Sequence, residues 1–424
     1  MLALQKASEQ QIQTSDLKIG MYVAHLDRPW VETPFMFQGF LITNVEDITQ
    51  LQQHCQYVYI DTEQGKTISS SGSGNVYQQP TPSDINQSIT EHRLTHQGHL
   101  YANEVSSEEE MANAKRARDE TYRLIATVDS ELKQGHSLKL GLVKDSLIPL
   151  VQSIIRNPDP LMQMAMIKGN KVEERRDVFD AAVLAAVTGR QLGFKEQDIQ
   201  ELAAGALLYD IGMRKMPPML LDKNGKFRTQ EIDIIKKHVV LGLDSLKNTH
   251  GMNGKVLSMI RHHHERYDGS GYPAGLKGES IPVFGRIAAI VDCFNAITTP
   301  RKYANAMSPY KAAMNLYEWR NTDFDPVLVE HFIQAVGIYP IGTLVELSNG
   351  CVGVIISQNK KRRLNPTVSL LLDQHKQPQP DNKVIDLSCT SKDSTAQELS
   401  INNALEPGAY DIDLASFSWP FVDL

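Results

Sequence analysis

A succession of long segments with helical periodicity most constrains the fold of this chain. Apolar residues recur every three or four positions at 159–193, 196–210, 229–247, 252–265, 282–299, 308–320 and 326–336. This spacing is typical of helices that each bury one face against neighbours. Because the segments follow one another with only short breaks, residues 158–340 are predicted to form one all-α domain.

The residues on either side of this domain have different patterns. Short runs of β-branched and aromatic residues beside one short helical run predict a small α+β domain over residues 1–61. Ser, Gly, Gln and Pro then dominate, which predicts a flexible linker over 62–105. Connecting helices are expected at 106–133 and 138–156, within 106–157. β-branched residues return at 341–424, so a β-rich C-terminal extension is predicted.

Composition and charge narrow the classes of function. A chain of 424 residues exceeds the size of one growing core, so several domains are expected. The net charge of -7 disfavours a nucleic-acid polymer as partner, although a basic pocket for one small phosphate ligand stays open. Four cysteines without CxxC spacing predict free thiols in a reducing cytoplasm. The absence of a run of about 18 apolar residues predicts no membrane span.

Two acidic residues lie at positions where a carboxylate is unusual. Asp292 follows the apolar run 287–291, so it is predicted to be largely buried. Burial of a carboxylate is costly unless it is paired or binds metal. A ligand and a hydrogen-bonded structural acid are equally supported for Asp292. Asp210 ends an apolar helical segment and is either a helix cap or a ligand.

Histidines offer the other donors that metal-assisted phosphodiester hydrolysis needs. His238 is isolated in a helical segment, where such a residue is more often packed or exposed than a ligand. His262, His263 and His264 are consecutive, and on a helix their side chains project about 100° apart. At most two of them can readily share a site. The residues alone support a metal site and a structural role about equally.

The stretch 263–273 reads His-His-Glu-Arg-Tyr-Asp-Gly-Ser-Gly-Tyr-Pro and resembles the signature of the HD-GYP phosphodiesterases. Asp210-Ile211-Gly212 resembles the end of that family's His-Asp-Ile-Gly-Lys block. His238, with Gly242 after it, and the segment around Asp292 resemble two further family motifs. Arg301 and Tyr303 match its Arg-Pro-Tyr element, and residues 17–23 resemble a small domain of unknown function often found before HD-GYP.

This resemblance implies an HD-superfamily helical core that hydrolyses cyclic di-GMP with two or three divalent transition-metal ions, iron or manganese. The implied metal ligands are Asp210, His238, His263, His264 and Asp292. Asp177 and Glu173, one helical turn earlier on the same face, are added as candidate ligands because carboxylates bind hard cations. Asp210 and Arg301 have implied catalytic roles, with Arg301 on the substrate phosphate. Gly271, Tyr272 and Pro273 form a lip beside the active site that contacts partner diguanylate cyclases. A homodimer is left open.

The chain departs from the family pattern within the site itself. The family's HD histidine is Tyr209, a phenol that is neutral at pH 7 and a poor ligand for these ions. The following lysine, which contacts substrate phosphate, is Met213. The histidine expected on the first metal helix falls at Asp177, and the basic residue expected after Tyr303 is Ala304.

These departures support two main hypotheses. The first is a cyclic di-GMP phosphodiesterase with an altered metal site, in which Lys215 or Lys302 is a candidate for the lost positive charge. The second is a catalytically weak or inactive regulator that binds a cyclic dinucleotide or a signalling partner through the lip. A hydrolase acting on another phosphorylated nucleotide is the third and least favoured, because the Gly-Tyr-Pro element is present.

Overall fold

The computed structural model describes residues 9–26, 40–42, 45–61, 101–167, 176–221, 223, 225, 227–300, 306–359, 361–379, 383–389, 399–414 and 417. The chain divides into two compact units, residues 1–80 with 222–235 and residues 81–221 with 236–424. Glu173, Arg301, Lys302, Tyr303, Ala304 and positions 62–100 of the predicted linker lie outside the described residues.

The first unit contains the expected small α+β fold. Its strands are β1 (Glu9–Gln13), β2 (Tyr22–Leu26), β3 (Phe40–Leu41) and β4 (Tyr57–Asp61), and α1 spans Val45–His54. The strands pair antiparallel in the order β1-β4-β2-β3. Val58 and Ile60 alternate with more exposed neighbours along β4 and are fully buried, as expected for a sheet with one covered face. Leu51 of α1 belongs to the same apolar core.

The first helix of the second unit, α2 (Ser107–Lys133), begins and ends where the sequence predicts. The Ser106 hydroxyl accepts a hydrogen bond from the Glu109 amide at 3.2 Å, and the Glu109 carboxylate accepts one from the Ser106 amide at 2.8 Å. This reciprocal pair is a capping box. Gly135, at φ 75°, follows the helix and allows the chain to reverse in the left-handed region.

The prediction of a single helix over 138–156 is wrong. The segment forms two helices, α3 (Leu140–Ser146) and α4 (Ile148–Arg156), which meet at Leu147. Pro149 explains the break, because proline lacks an amide hydrogen and its ring clashes with the carbonyl four residues earlier. Proline is tolerated in the first turn of a helix, and that is where Pro149 lies in α4.

Further helices follow between residues 159 and 336, and the one at Thr229–Lys236 lies mostly in the first unit. They are α5 (Asp159–Met166), α6 (Arg176–Gln191), α7 (Glu196–Leu208), α8 (Pro218–Leu221), α9 (Thr229–Lys236), α10 (His238–Leu246), α11 (Gly254–His262), α12 (Val283–Thr298), α13 (Pro309–Glu318) and α14 (Pro326–Val336). Helices α7 and α11 approach closely at Gly205, where an added Cβ would lie 2.2 Å from the Met259 sulfur. This close packing draws the ends of α7 and α11 together.

The C-terminal extension is a five-stranded antiparallel sheet in the order β8-β7-β6-β5-β9. The strands are β5 (Leu344–Leu347), β6 (Val352–Ser357), β7 (Thr367–Leu372), β8 (Val384–Asp386) and β9 (Ile401–Leu405). The Gln163 side-chain amide of α5 donates to the Ile356 carbonyl at 2.8 Å, which joins this sheet to the helical domain. Strands β8 and β9 lie within residues 374–424, where no individual element is predicted from the pattern of residues.

Two further properties are the state of the cysteines and whether a helix could cross a membrane. Cys55, Cys293, Cys351 and Cys389 form no disulfide bond with one another. Among the residues that the structure describes, none of the helices combines the length and the apolar character needed to cross a membrane.

Candidate metal centre

Four side chains from three segments of the chain converge at one place in the helical domain. Asp210, His238, His263 and His264 each offer one donor atom, and these atoms all lie within 4.8 Å of one another. The Nε2 atoms of His238 and His263 are 3.1 Å apart. Asp210 Oδ1 lies 3.4 Å from the first and 3.7 Å from the second. We call these four residues the donor cluster.

The backbone around Gly212 brings Asp210 to His238. Asp210 follows α7 and precedes a 3-10 turn at Ile211–Lys215, while His238 begins α10. A Cβ atom at Gly212 would lie 1.9 Å from the His238 carbonyl oxygen and 2.5 Å from the Gly242 amide nitrogen. Only glycine allows this approach without displacement. Asp210 makes no side-chain capping hydrogen bond to the turn that follows it.

His263 is fully buried and is held in one orientation. Its Nδ1 atom lies 3.0 Å from the Ile260 carbonyl oxygen and 3.2 Å from that of Met259. Carbonyls only accept hydrogen bonds, so Nδ1 is the protonated nitrogen of the neutral ring and Nε2 presents its lone pair to the cluster. Burial opposes protonation of His263, but the Asp210 carboxylate outweighs it and raises the pKa of the ring. The centre therefore favours positive charge.

Tyr209 supports the His263 ring. It is 4% exposed, and its ring centre lies 4.9 Å from that of His263 with 22° between the planes. This is the geometry of offset stacking. The residue in the place of the family's HD histidine thus packs against a donor.

Asp292 borders the donor cluster through His264. Asp292 Oδ2, on α12, lies 3.7 Å from His264 Nδ1. Asn295, about one turn further along α12, donates to the main-chain carbonyl of Asp177 at 2.7 Å, so the start of α6 is adjacent to this part of α12. The exposed Asp177 carboxylate accepts from the Val178 amide at 3.0 Å. The structure thus brings Asp292 to the cluster edge and Asp177 to the neighbouring helix start.

The Gly-Tyr-Pro loop folds back onto the donor cluster. The Tyr272 amide donates to the His264 carbonyl at 3.1 Å, and the two rings stack with centres 4.7 Å apart. A Cβ atom at Gly271 would lie 2.3 Å from the Arg266 amide nitrogen, which explains the glycine. Burial, with the charge of Asp292, raises the pKa of Tyr272 and keeps the phenol neutral.

Glu265 anchors this loop, a role that sequence reasoning missed. It is 1% exposed, and its two carboxylate oxygens accept hydrogen bonds from the Ala274 amide at 2.8 Å and the Leu276 amide at 3.0 Å. The available signal was a glutamate directly after two candidate ligands and before a glycine-rich turn. Its partners are main-chain amides, which no side-chain pattern identifies.

The cation proposed to replace the charge missing at Met213 has another partner. Lys215 Nζ lies 3.7 Å from the Asp244 carboxylate. The alternative, Lys302, lies outside the described residues, as do Arg301 and Glu173.

The donor cluster fits a divalent transition-metal ion. Imidazole nitrogens and carboxylates are usual ligands for such ions. Donors bound at about 2.0–2.2 Å to one ion lie roughly 3.0–3.5 Å apart. The separations of 3.1, 3.4 and 3.7 Å come close to this range. Two of the histidines are buried and lie beside a reachable carboxylate, since the Asp210 side chain is 44% exposed.

Comparison with known families agrees with this site and fold. Residues 154–328 match the family described as HD domain. Residues 9–142 match a domain of unknown function, DUF3391, and residues 344–406 match the KOW domain associated with HD domain. The fold and the His/Asp cluster therefore define an HD-type protein with one accessory domain on each side.

Curated relatives narrow the class further. The chain is 27% identical over 385 residues to cyclic di-GMP phosphodiesterase PA4108 of Pseudomonas aeruginosa, a match that covers 89% of this chain and 88% of the relative. It is 36% identical over 152 residues to the cyclic di-GMP phosphodiesterase response regulator RpfG of Xanthomonas campestris. This match covers 36% of this chain and 40% of the relative. It is 27% identical to 3'3'-cGAMP-specific phosphodiesterase 2 of Vibrio cholerae, a match that covers 50% of this chain and 41% of the relative. The chain is thus similar to phosphodiesterases that act on cyclic dinucleotides.

Proposed function

We propose that this chain is a metal-dependent phosphodiesterase that hydrolyses cyclic di-GMP in bacterial second-messenger signalling. The observation that carries the proposal is the convergence of Asp210, His238, His263 and His264 beneath a Gly-Tyr-Pro loop. The relative named as a cyclic di-GMP phosphodiesterase that aligns along 89% of this chain supports the substrate.

In this proposal the donor cluster and Asp292 hold divalent ions. A divalent ion bound there supplies Lewis-acid activation of water and of the phosphodiester. The carbonyls of Met259 and Ile260 keep the His263 proton on Nδ1, so that the lone pair of Nε2 remains available to a metal ion. Asp292 Oδ2 lies 3.7 Å from His264 Nδ1, which supports Asp292 as a further ligand at the edge of the cluster.

Finer features of the site belong to the same proposal. The ions are iron or manganese, two or three in number, with Asp177 and Glu173 completing the ligands and Arg301 on the substrate phosphate. The lip of Gly271, Tyr272 and Pro273 contacts diguanylate cyclases, and the protein acts in the cytoplasm. The relative specific for 3'3'-cGAMP makes that dinucleotide the first competing substrate to assay.

The test is turnover by protein loaded anaerobically with iron or manganese. We expect linear dinucleotide to form at least about tenfold faster than with Asp210→Ala, since removal of a metal ligand is costly. Metal content is measured on the same samples. The absence of turnover above the Asp210→Ala control would overturn the phosphodiesterase proposal.

A second candidate is a regulator that binds a cyclic dinucleotide without hydrolysing it. The stacking of Tyr209 on His263 and the pairing of Lys215 with Asp244 favour it, because neither residue then supplies the missing donor or charge. The triple variant Tyr209→His, Met213→Lys, Asp177→His separates the candidates. Activity gained only in the triple variant, with cyclic di-GMP bound by the wild type, identifies the regulator.

A further inference from the structure

A lysine lies beside the lip at a position that motif comparison did not single out. Lys236 is the last residue of α9, and its Nζ lies 5.3 Å from the centre of the Tyr272 ring. The other neighbour of that ring is His264, at 4.7 Å between ring centres. An ammonium group, a phenol and a metal-donor imidazole therefore follow one another from the edge of the site inward.

The charge of Lys236 is available to a ligand. Within the part of the chain that the structure describes, no carboxylate forms an ion pair with it, and the side chain is half-buried. Two cations that follow Asp210 in the sequence are engaged by carboxylates, since Arg214 pairs with Asp129 and Lys215 with Asp244. The Arg266 guanidinium donates to the Glu265 carbonyl at 3.2 Å. Lys236 is thus a cation held beside an aromatic face without a carboxylate to neutralise it.

The location of Lys236 indicates which anion it meets. The phosphodiester that is cleaved must lie at the donor cluster, and the Tyr272 and His264 rings separate Lys236 from that point. A cyclic dinucleotide has a second phosphodiester on the opposite side of its ring. A lysine ammonium is a point charge well suited to a phosphate.

We propose that Lys236 binds the second, uncleaved phosphate of a cyclic dinucleotide, and so selects substrates with two phosphates over simple diesters. This inference rests on the proposed function. The Tyr272 ring, itself fixed by the Gly271 turn and by Glu265, keeps the ammonium beside the site. Lys236 contributes to binding and takes no part in bond cleavage.

The experiment compares Lys236→Met with Lys237→Met in the full, metal-loaded chain. Lys237 is the exposed next residue, so its variant matches the charge change without touching the lip. The substrates are cyclic di-GMP, with two phosphates, and bis(p-nitrophenyl) phosphate, with one. We expect Lys236→Met to raise KM for cyclic di-GMP about tenfold with kcat within about twofold, a size usual for a lost charge-assisted hydrogen bond. Lys236→Arg should recover part of the loss.

The small diester distinguishes substrate binding from support of the lip. Both kinetic constants for bis(p-nitrophenyl) phosphate should stay within about twofold of the wild type in Lys236→Met. Equal losses on the two substrates, or no change in KM for cyclic di-GMP, would overturn the assignment. Thermal unfolding of both variants checks that the fold is retained.

Direct binding separates this inference from the proposed function. If the wild type binds cyclic di-GMP in calorimetry without hydrolysing it, the phosphodiesterase proposal fails, and the Lys236 assignment still requires about tenfold weaker binding by Lys236→Met than by Lys237→Met. Hydrolysis by the wild type with an unchanged Lys236→Met refutes the Lys236 assignment alone. A wild type that neither binds nor hydrolyses cyclic di-GMP refutes both.

Discussion

Two sets of residues, one on each side of Asp210 in the sequence, differ in the metal-donor atoms that they offer. On one side stand His238 and His263, buried imidazoles whose Nε2 atoms lie 3.4 and 3.7 Å from its carboxylate. On the other side, before Asp210 in the sequence, are Tyr209 and Asp177, at positions where the family pattern has histidines. The Tyr209 ring stacks on His263. Asp177 lies in the first turn of α6, and its carboxylate accepts a hydrogen bond from the Val178 amide. The donor cluster thus includes the two imidazoles, whereas Tyr209 packs against one of them and Asp177 lies outside the cluster.

This difference shows that packing and metal ligation are separate demands on the sequence. The approach of the Asp210 turn to α10 depends on Gly212, and that of α7 to α11 depends on Gly205. Neither contact uses a metal-donor atom, since the first is with main-chain atoms of His238 and Gly242 and the second is with the Met259 side chain. A buried phenol can therefore fill the place of an imidazole while the helices keep their arrangement, because the close contacts that set the arrangement lie elsewhere.

The largest effect that tests the comparison is expected from His263→Ala. It removes a metal donor, and we expect the dissociation constant for manganese to rise by at least about a hundredfold, since loss of a residue that only orients a ligand already costs roughly 10–100-fold. His262→Ala is the matched control, because His262 is the adjacent histidine and its Nδ1 is directed to the Ser258 carbonyl at 3.0 Å. Competition with a chelator measures both. Equal losses in the two variants would mean that the donor cluster is not the binding site.

A smaller effect is expected from Gly212→Ala, which leaves every donor in place. The added Cβ would meet the His238 carbonyl, so the Asp210 turn must move away from α10. We expect a loss of about 1–3 kcal/mol in the free energy of unfolding, the usual cost of overpacking. Metal affinity should fall about tenfold as Asp210 separates from His238.

The control for this variant is Gly141→Ala, in α3, where an added Cβ meets nothing within 4 Å. There the change should be neutral or slightly stabilising, because alanine is the better helix former. Chemical denaturation and chelator competition report the two effects. A Gly212→Ala protein with wild-type affinity would show that the Asp210–His238 approach is not what assembles the donors.

Local sequence determined much of the fold and less of the site. Helical periodicity located the helices, and the break at Leu147 was missed because Pro149 suits a first turn as well as it disrupts an interior. His238 and His263 are 25 positions apart, so their contact of 3.1 Å depends on how α10 meets α11. Spacing alone could not distinguish His238 from an ordinary packed histidine. Motif resemblance selected it.

Neither helical periodicity nor motif resemblance identified Glu265 or Lys236. Glu265 acts on main-chain amides of a loop that follows it, and Lys236 acts across the ring of a residue in another segment. Their partners are set by tertiary folding. Neither residue belongs to a local pattern that predicts those partners.

The smallest effect, expected from Tyr209→Phe, tests the substituted side of Asp210. If Tyr209 contributes through its stacked ring, removal of the hydroxyl leaves the support of His263 intact. We expect manganese affinity within about threefold of the wild type and a stability change of about 1 kcal/mol from the hydroxyl. Tyr209→Ala, which removes the ring and leaves a cavity, should instead cost about 3–5 kcal/mol of stability.

The contrast between these two variants decides whether the comparison holds. A tenfold or greater loss of metal affinity in Tyr209→Phe, with stability retained, would make the phenol oxygen a metal donor and remove the difference between the two sides of Asp210. Unchanged affinity in Tyr209→Phe, together with a higher ion count in Tyr209→His, would instead establish that an imidazole at this position adds a binding site that the stacked ring does not provide.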